Sequence, residues 1–291
     1  MQMAKALLLG STGMLGSAVA RELSKSGISL SIASRSQGIK FDAQEVNLSH
    51  VFESAGLVTG DYIINCIGLT KSRIDEKSRE SRALAIALNV SFPNALASQA
   101  EAKGYKVIQV ATDCVFSGLR GNYSEADPHD AQDVYGKTKS LGEVPSSAVM
   151  HLRCSLIGPE QGRNSLFFEW VRQQPANAEI KGFSNHIWNG LTSKVFGQIL
   201  VGVIQSNLFR PGVQHLVPAD KVTKDELVRL ELAALGRQDV SVTATSPLDS
   251  VDRTLATTDV ARNRELFQAA GYAELPTIRA MVEEICQELP N

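Results

Sequence analysis

The stretch Ala6-Leu-Leu-Leu-Gly-Ser-Thr-Gly-Met-Leu-Gly16 decides the fold. An unbroken apolar run reads as a strand buried on both faces, and the helical spacing from Met14 onward makes the unit strand–turn–helix. Gly10, Gly13 and Gly16 form G-x-x-G-x-x-G, not G-x-G-x-x-G. The physics is shared: glycine permits a tight turn and close approach, and the free N–H groups of the helix start face an anion. With Thr12, Met14 and Leu15 completing the turn, the stretch reads as a cradle for a dinucleotide pyrophosphate. A glycine-rich turn without a ligand is the plain alternative.

Outward from this unit, apolar runs alternate with helical patterns. The sequence predicts strands at 6–9, 28–33, 44–48, 62–67, 106–111 and 151–157, and helices at 14–26, 83–103 and 135–144. This rhythm belongs to an α/β, Rossmann-like doubly wound parallel sheet. Beyond Gly158 the rhythm changes. Helical patterns at 165–173, 194–205 and 224–235, an aromatic- and Asn-rich loop at 183–191, strands at 213–217 and 240–244 and two last helices ending near Ile285 suggest a smaller C-terminal substrate-binding lobe. The expected division is a dinucleotide-binding domain over 1–158, with a segment near 183–206 returning to it, and a substrate lobe over 159–291.

Composition excludes several classes. The 291 residues are 43% hydrophobic and 21% charged with a net charge of −2, so no basic face points to nucleic acid or a membrane surface. Cys66, Cys114, Cys154 and Cys286 lack C-x-x-C spacing and read as free thiols in a reducing compartment. The histidines do not cluster, so no metal is expected. Residues 1–20 mimic a secretory leader, but Gly10 to Gly13 break the apolar run and cleavage there would remove the glycine turn. No apolar run is long enough to span a bilayer, and a cytoplasmic protein is expected.

The second motif is Tyr135-Gly-Lys-Thr-Lys139, which stacks a phenol and an ammonium on one helix face. A phenol titrates near about 10, and an adjacent cation lowers that value. Thr112 ends the apolar strand Val107-Ile-Gln-Val-Ala-Thr112, where a parallel sheet offers ligands its carboxyl edge. Together the two motifs point to carbonyl/alcohol redox chemistry on a nicotinamide cofactor. After the second strand stands Ser34-Arg35-Ser36, where a carboxylate often meets the ribose of NAD. The Arg35 guanidinium suits a 2′-phosphate, which favours NADPH; stacking on adenine, with NADH also accepted, is the alternative.

Residues 111–118 (Ala-Thr-Asp-Cys-Val-Phe-Ser-Gly), Tyr123-Ser-Glu125 and Val134 to Glu143 resemble the extended short-chain dehydrogenase/reductase superfamily. Within it, the likeness is to the dTDP-4-dehydrorhamnose reductase group. It implies a Thr112/Tyr135/Lys139 triad in which the tyrosine protonates a 4-keto oxygen of a nucleotide-sugar substrate. It also implies that Asn47, Leu48, Cys66, Ile67 and Gly68 line the adenine and ribose side of the cofactor, and it is compatible with a homodimer. Asp113 is followed by Cys114, without the Asp–Glu pair of dehydratase relatives. Leu156 replaces a tryptophan of rhamnose reductases, and Cys114 an aromatic residue. Fucose-synthase relatives use such a cysteine as an epimerisation base; the other reading of Cys114 is a small buried residue.

The substrate side has both readings throughout. Asn185, His186, Trp188 and Asn189 either contact a base or sugar or serve packing and turns. Lys71 and Arg73, in a stretch of alternating charge, either meet an anionic substrate or are solvated. Arg163 and Asn164 are candidates for substrate phosphates, and Arg253 for a further phosphate contact. Three functions follow: a keto-sugar reductase, a reductase–epimerase using Cys114, or a cofactor-binding regulatory subunit without turnover.

Overall fold

The computed structural model describes residues 4–45, 47–160 and 166–289. Its first half runs β1 (Lys5–Leu9), α1 (Met14–Lys25), β2 (Ser29–Ser34), β3 (Ile39–Lys40), α2 (Ser49–Ala55), β4 (Tyr62–Asn65), α3 (Arg79–Ile86), α4 (Phe92–Lys103) and β5 (Lys106–Ala111). Then come α5 (Val134–Leu141), β6 (Val149–Arg153), β7 (Leu156–Ile157), α6 (Phe167–Arg172), β8 (Glu179–Phe183), β9 (His186–Trp188), β10 (Leu191–Thr192) and α7 (Ser193–Gln205). The chain closes with β11 (Gly212–His215), β12 (Val222–Thr223), α8 (Lys224–Ala234), β13 (Ser241–Thr245), β14 (Val251–Asp252), α9 (Val260–Ala269) and α10 (Ile278–Gln287).

One parallel sheet, ordered β11-β6-β5-β4-β1-β2-β3, organises the molecule. Both faces are covered, which explains the unbroken apolar strands. Ala6 and Leu8 face Val19 and Leu23 of α1 and the apolar side of α7, while Leu7 and Leu9 face Phe52 of α2 and Phe92 and Leu96 of α4. The order reverses between β1 and β4, and at such a point a crevice opens beyond the carboxyl ends of the strands. A smaller region built on the pairs β8–β13 and β7–β10 and the triplet β12-β9-β14 lies after β6. It has its own core of Val171, Ile180, Val228 and Leu232, and β11 carries the chain back to the main sheet.

Four expected elements take another form. The described residues of 44–48 form no strand: Asn47 Oδ1 accepts from Ser49 N (3.0 Å), a local bond, and Gln99 Oε1, from α4, accepts from Leu48 N (3.0 Å), so side chains replace a ladder where α2 starts. β3 forms earlier, at Ile39–Lys40. The long helix at 83–103 begins at Arg79 and widens into a π-turn over Ala87–Ser91. Pro93, lacking an N–H, cannot donate to the carbonyl of Asn89 four residues back. The strand at 151–157 splits, with β6 ending at Arg153 and β7 pairing with β10. The expected loop at 183–191 contains β9, which pairs with β12 and β14.

Candidate active site

Beyond the carboxyl ends of β1, β4, β5 and β6 lies a cleft of about 480 Å3. The glycine turn forms one wall. Gly10 has φ +86°, and a Cβ there would lie 2.8 Å from Ile67 Cγ1; a Cβ on Gly16 would lie 2.0 Å from the Gly10 carbonyl oxygen. The turn therefore closes only with glycine at both positions. Gly13, the N-cap of α1, faces open space instead. Among the described residues the buried Ser11 hydroxyl, two positions earlier, has no hydrogen-bond partner. An open helix start with an orphaned donor fits a bound pyrophosphate.

The opposite wall comes from β5 and α5. Thr112 Oγ1 accepts from Cys114 N (3.2 Å) and donates to Asp113 Oδ1 (3.2 Å), which turns the chain sharply at the strand end. A Cβ on Gly136 would lie 2.3 Å from the Cys114 carbonyl oxygen, so glycine next to Tyr135 lets α5 dock on that turn. Asp133 caps the helix, accepting from Gly136 N (2.8 Å) and pairing with Lys71 Nζ (2.8 Å). The result brings the Tyr135 phenol and the Thr112 hydroxyl together on the wall of one cleft, within reach of each other.

Burial raises the Tyr135 phenol above its ordinary range; Cys114 adds to this and the Thr112 bond opposes it. The net shift is upward, opposite to the expected lowering, and the Lys139 ammonium donates to the Val110 carbonyl (3.0 Å). Burial lowers Lys139, with Glu143 pulling the other way. Burial also pushes the thiols of Cys66 and Cys114 up to about 12. Cys114 is therefore a neutral thiol here, not a ready base.

Thr12, Gly13, Met14, Leu15, Gly16, Cys66, Ile67, Gly68, Lys71, Thr112, Cys114, Tyr135 and Lys139 all line the cleft, and Leu156 does too. Arg35 stands exposed just past β2, beside the glycine turn, where Ser34 Oγ accepts from Gln37 N (2.7 Å). Other expected residues are elsewhere. Leu48 is buried in the core under β1, and the Asn47 side chain accepts from Ser49 N just before α2. Asn185 donates to the Pro247 carbonyl, His186 meets the Asp249 carbonyl, and buried Asn189 bonds both backbone groups of Leu255. Trp188 lies behind the wall, donating to Ser155 Oγ (2.8 Å), and Arg253 donates to the Phe116 carbonyl (2.9 Å). Arg163 and Asn164 lie outside the described residues.

Sequence reading missed three contributors. Asn89, in the π-turn, accepts from Leu69 N (2.8 Å) and donates to the Leu69 carbonyl and to Thr138 of α5, tying the β4 loop to the helix that carries Tyr135 and Lys139. Asp133 was legible as an N-cap placed two residues before Tyr135. Arg153, fully buried, pairs with Glu143, one helical turn beyond Lys139, and nothing in spacing announces that pair. Among the described residues no three His, Cys, Asp or Glu side chains gather as a metal site, and no helix is long and apolar enough to cross a membrane.

The RmlD substrate binding domain family model matches residues 4–289. A dTDP-4-dehydrorhamnose reductase of Streptomyces griseus is 35% identical over 138 residues, 47% of this chain and 43% of that protein. Methionine adenosyltransferase 2 subunit beta of Rattus norvegicus is 31% identical over 144 residues, 48% of this chain and 41% of that protein. The matched stretch thus spans less than half of either relative. Among solved structures, a dTDP-4-dehydrorhamnose reductase from Bacillus anthracis in complex with NADP shares the fold, with a TM-score of 0.79 at 18% identity, covering 99% of this chain and 100% of that one.

Proposed function

The chain belongs to the RmlD substrate binding domain family, and on that premise we propose that it is an NADPH-dependent reductase of a nucleotide-activated 4-keto-6-deoxy sugar, serving surface-polysaccharide precursor synthesis. The observation that carries the reading is the juxtaposition of Thr112 and Tyr135 at the carboxyl edge of β5, across one cleft from the open start of α1.

The residues divide the work. Gly10, Gly13 and Gly16 shape the turn, the free N–H groups of α1 and the Ser11 hydroxyl face the pyrophosphate, and Arg35 is free to take a 2′-phosphate. When bound, the cofactor supplies the hydride. Tyr135 holds its proton at neutral pH because burial raises its pKa, so it can give that proton to a carbonyl oxygen as the oxygen gains charge. Thr112 orients the same oxygen beside it. Lys139 lends a positive charge to the cleft floor, and Asp133 and Asn89 fix the helix that carries both side chains. The neutral state of Cys114 favours reduction without epimerisation. Pairing of two copies belongs to the same proposal and is checked by sizing.

The test follows nicotinamide oxidation with a panel of nucleotide-linked 4-keto sugars. Wild type turns over at least one of them, and Tyr135→Phe loses at least 100-fold in kcat while keeping its NADPH affinity, in line with general acid catalysis. Arg35→Asp weakens NADPH at least tenfold and NADH little. Tight NADPH binding with no turnover on any keto sugar would move the protein to the binding-subunit reading. Solvent deuterium at the carbon next to the carbonyl, lost in Cys114→Ser, would move it to the epimerase reading.

A further inference from the structure

Lys224 is the first residue of α8, directly after the Thr223 cap. A cation there meets the positive end of the helix dipole, and the first turn already holds the carboxylates Asp225 and Glu226. Its side chain does not run out into solvent. Nζ lies 4.4 Å from the centroid of the Phe167 ring and 5.1 Å from that of Trp188. Among the described residues the ammonium has no hydrogen bond and no ion pair, and the groups packed against it are ring faces.

The cage belongs to the cleft. Phe167 lines it, and Trp188 is anchored on Ser155, which also lines it. The ammonium lies within electrostatic reach of Asp113, the residue after Thr112. An unpaired cation, held by aromatic rings at a helix position that disfavours it, stands against Phe167 at the border of the cleft, and no structural bond among the described residues accounts for it.

We propose that Lys224 is a substrate-binding residue whose ammonium donates to an oxygen substituent of the sugar ring, selecting sugars that present an acceptor beside the reacting carbonyl. This rests on the nucleotide-sugar reading above. Burial lowers the ammonium to about 8, against the pull of Asp113, Cys114 and Glu231, and Glu169 in turn faces Glu231. The charge therefore weakens as pH rises through that value.

Lys224→Met keeps a stem between the rings and removes the charge. With NADPH and a nucleotide-linked 4-keto sugar, the variant raises KM at least tenfold and changes kcat far less. The rise of KM above pH 8 in wild type is absent in the variant, and Lys224→Arg recovers part of the affinity. A folded Lys224→Met with wild-type KM overturns the proposal. A second readout uses the wild-type protein alone, acylating lysines at pH 8 and following the Lys224 peptide by mass spectrometry. Saturating nucleotide sugar slows its labelling at least fivefold, and nucleoside diphosphate does not. Equal labelling with and without the sugar nucleotide overturns the proposal, and protection by nucleoside diphosphate alone overturns the sugar assignment. If wild type reduces no keto sugar, the function fails on that result, while protection by the sugar nucleotide still decides Lys224.

Discussion

Acid should unfold this protein through His215, by an amount the structure lets one work out. The ring is buried, at 1% exposure, between Arg153 and the Ala256 carbonyl. Arg153 Nη1 lies 2.7 Å from Nε2, and an arginine only donates, so Nε2 accepts. Nδ1, 2.7 Å from the Ala256 carbonyl oxygen, must then carry the proton, and the folded ring is neutral. Burial, then the Arg153 charge, depress its pKa to about 4. In the unfolded chain a histidine titrates near about 6.5. Between those values the unfolded state binds the extra proton, so stability rises with pH and is lost as pH falls through the window. A gap of about 2.5 pH units at about 1.4 kcal/mol each makes the full loss about 3.5 kcal/mol, of which about 2 kcal/mol is gone by pH 5. Urea unfolding at pH 7.5 and pH 5 measures it, with constant m required for a two-state reading. His215→Gln keeps an acceptor for Arg153 and cannot charge. At pH 7.5 it costs about 1 kcal/mol for the Ala256 bond, and between the two pH values it loses about 2 kcal/mol less than wild type. His129 and His151 are lowered by burial as well and remain in both proteins, so the difference isolates His215. Equal acid losses in wild type and His215→Gln would refute the neutral-ring argument.

Two further perturbations follow from the same contacts. Glu143→Gln leaves the buried Arg153 guanidinium without its carboxylate, and breaking a buried pair costs about 3–5 kcal/mol; Arg153 still has His129 and the Phe116 ring, so the low end is expected in urea unfolding, and a loss under about 1 kcal/mol would mean the pair acts as a surface bridge. Gly16→Ala drives a methyl group to 2.0 Å from the Gly10 carbonyl oxygen, and since backbone must move, a loss of about 3 kcal/mol or more in stability and at least tenfold weaker NADPH binding are expected by unfolding and fluorescence titration.

Much of the architecture was legible because its determinants are local. Ala6–Gly16 carries its strand, its turn and its helix in adjacent residues, and the glycines at 10 and 16 are required by contacts within that unit or with the neighbouring strand end. Tyr135 and Lys139 share a helix face by spacing alone. Where reading failed, the deciding group lay far along the chain. Gln99 takes the Leu48 N–H that a strand at 44–48 would have spent on a neighbour. The loop expected at 183–191 becomes β9 because residues near 222 and 251 pair with it.

The sequence by itself determined the doubly wound sheet and the chemistry at the end of β5, since apolar periodicity, glycine positions and the Tyr–Lys spacing are short-range properties. Only the tertiary structure decided the electrostatics. Lys139 donates to the Val110 carbonyl, Tyr135 keeps its proton through burial, and Lys224 of α8 packs on two rings, one of which lines the cleft. Those outcomes depend on which distant groups exclude water around a charge, because desolvation and Coulomb fields act through space and leave no period in the chain.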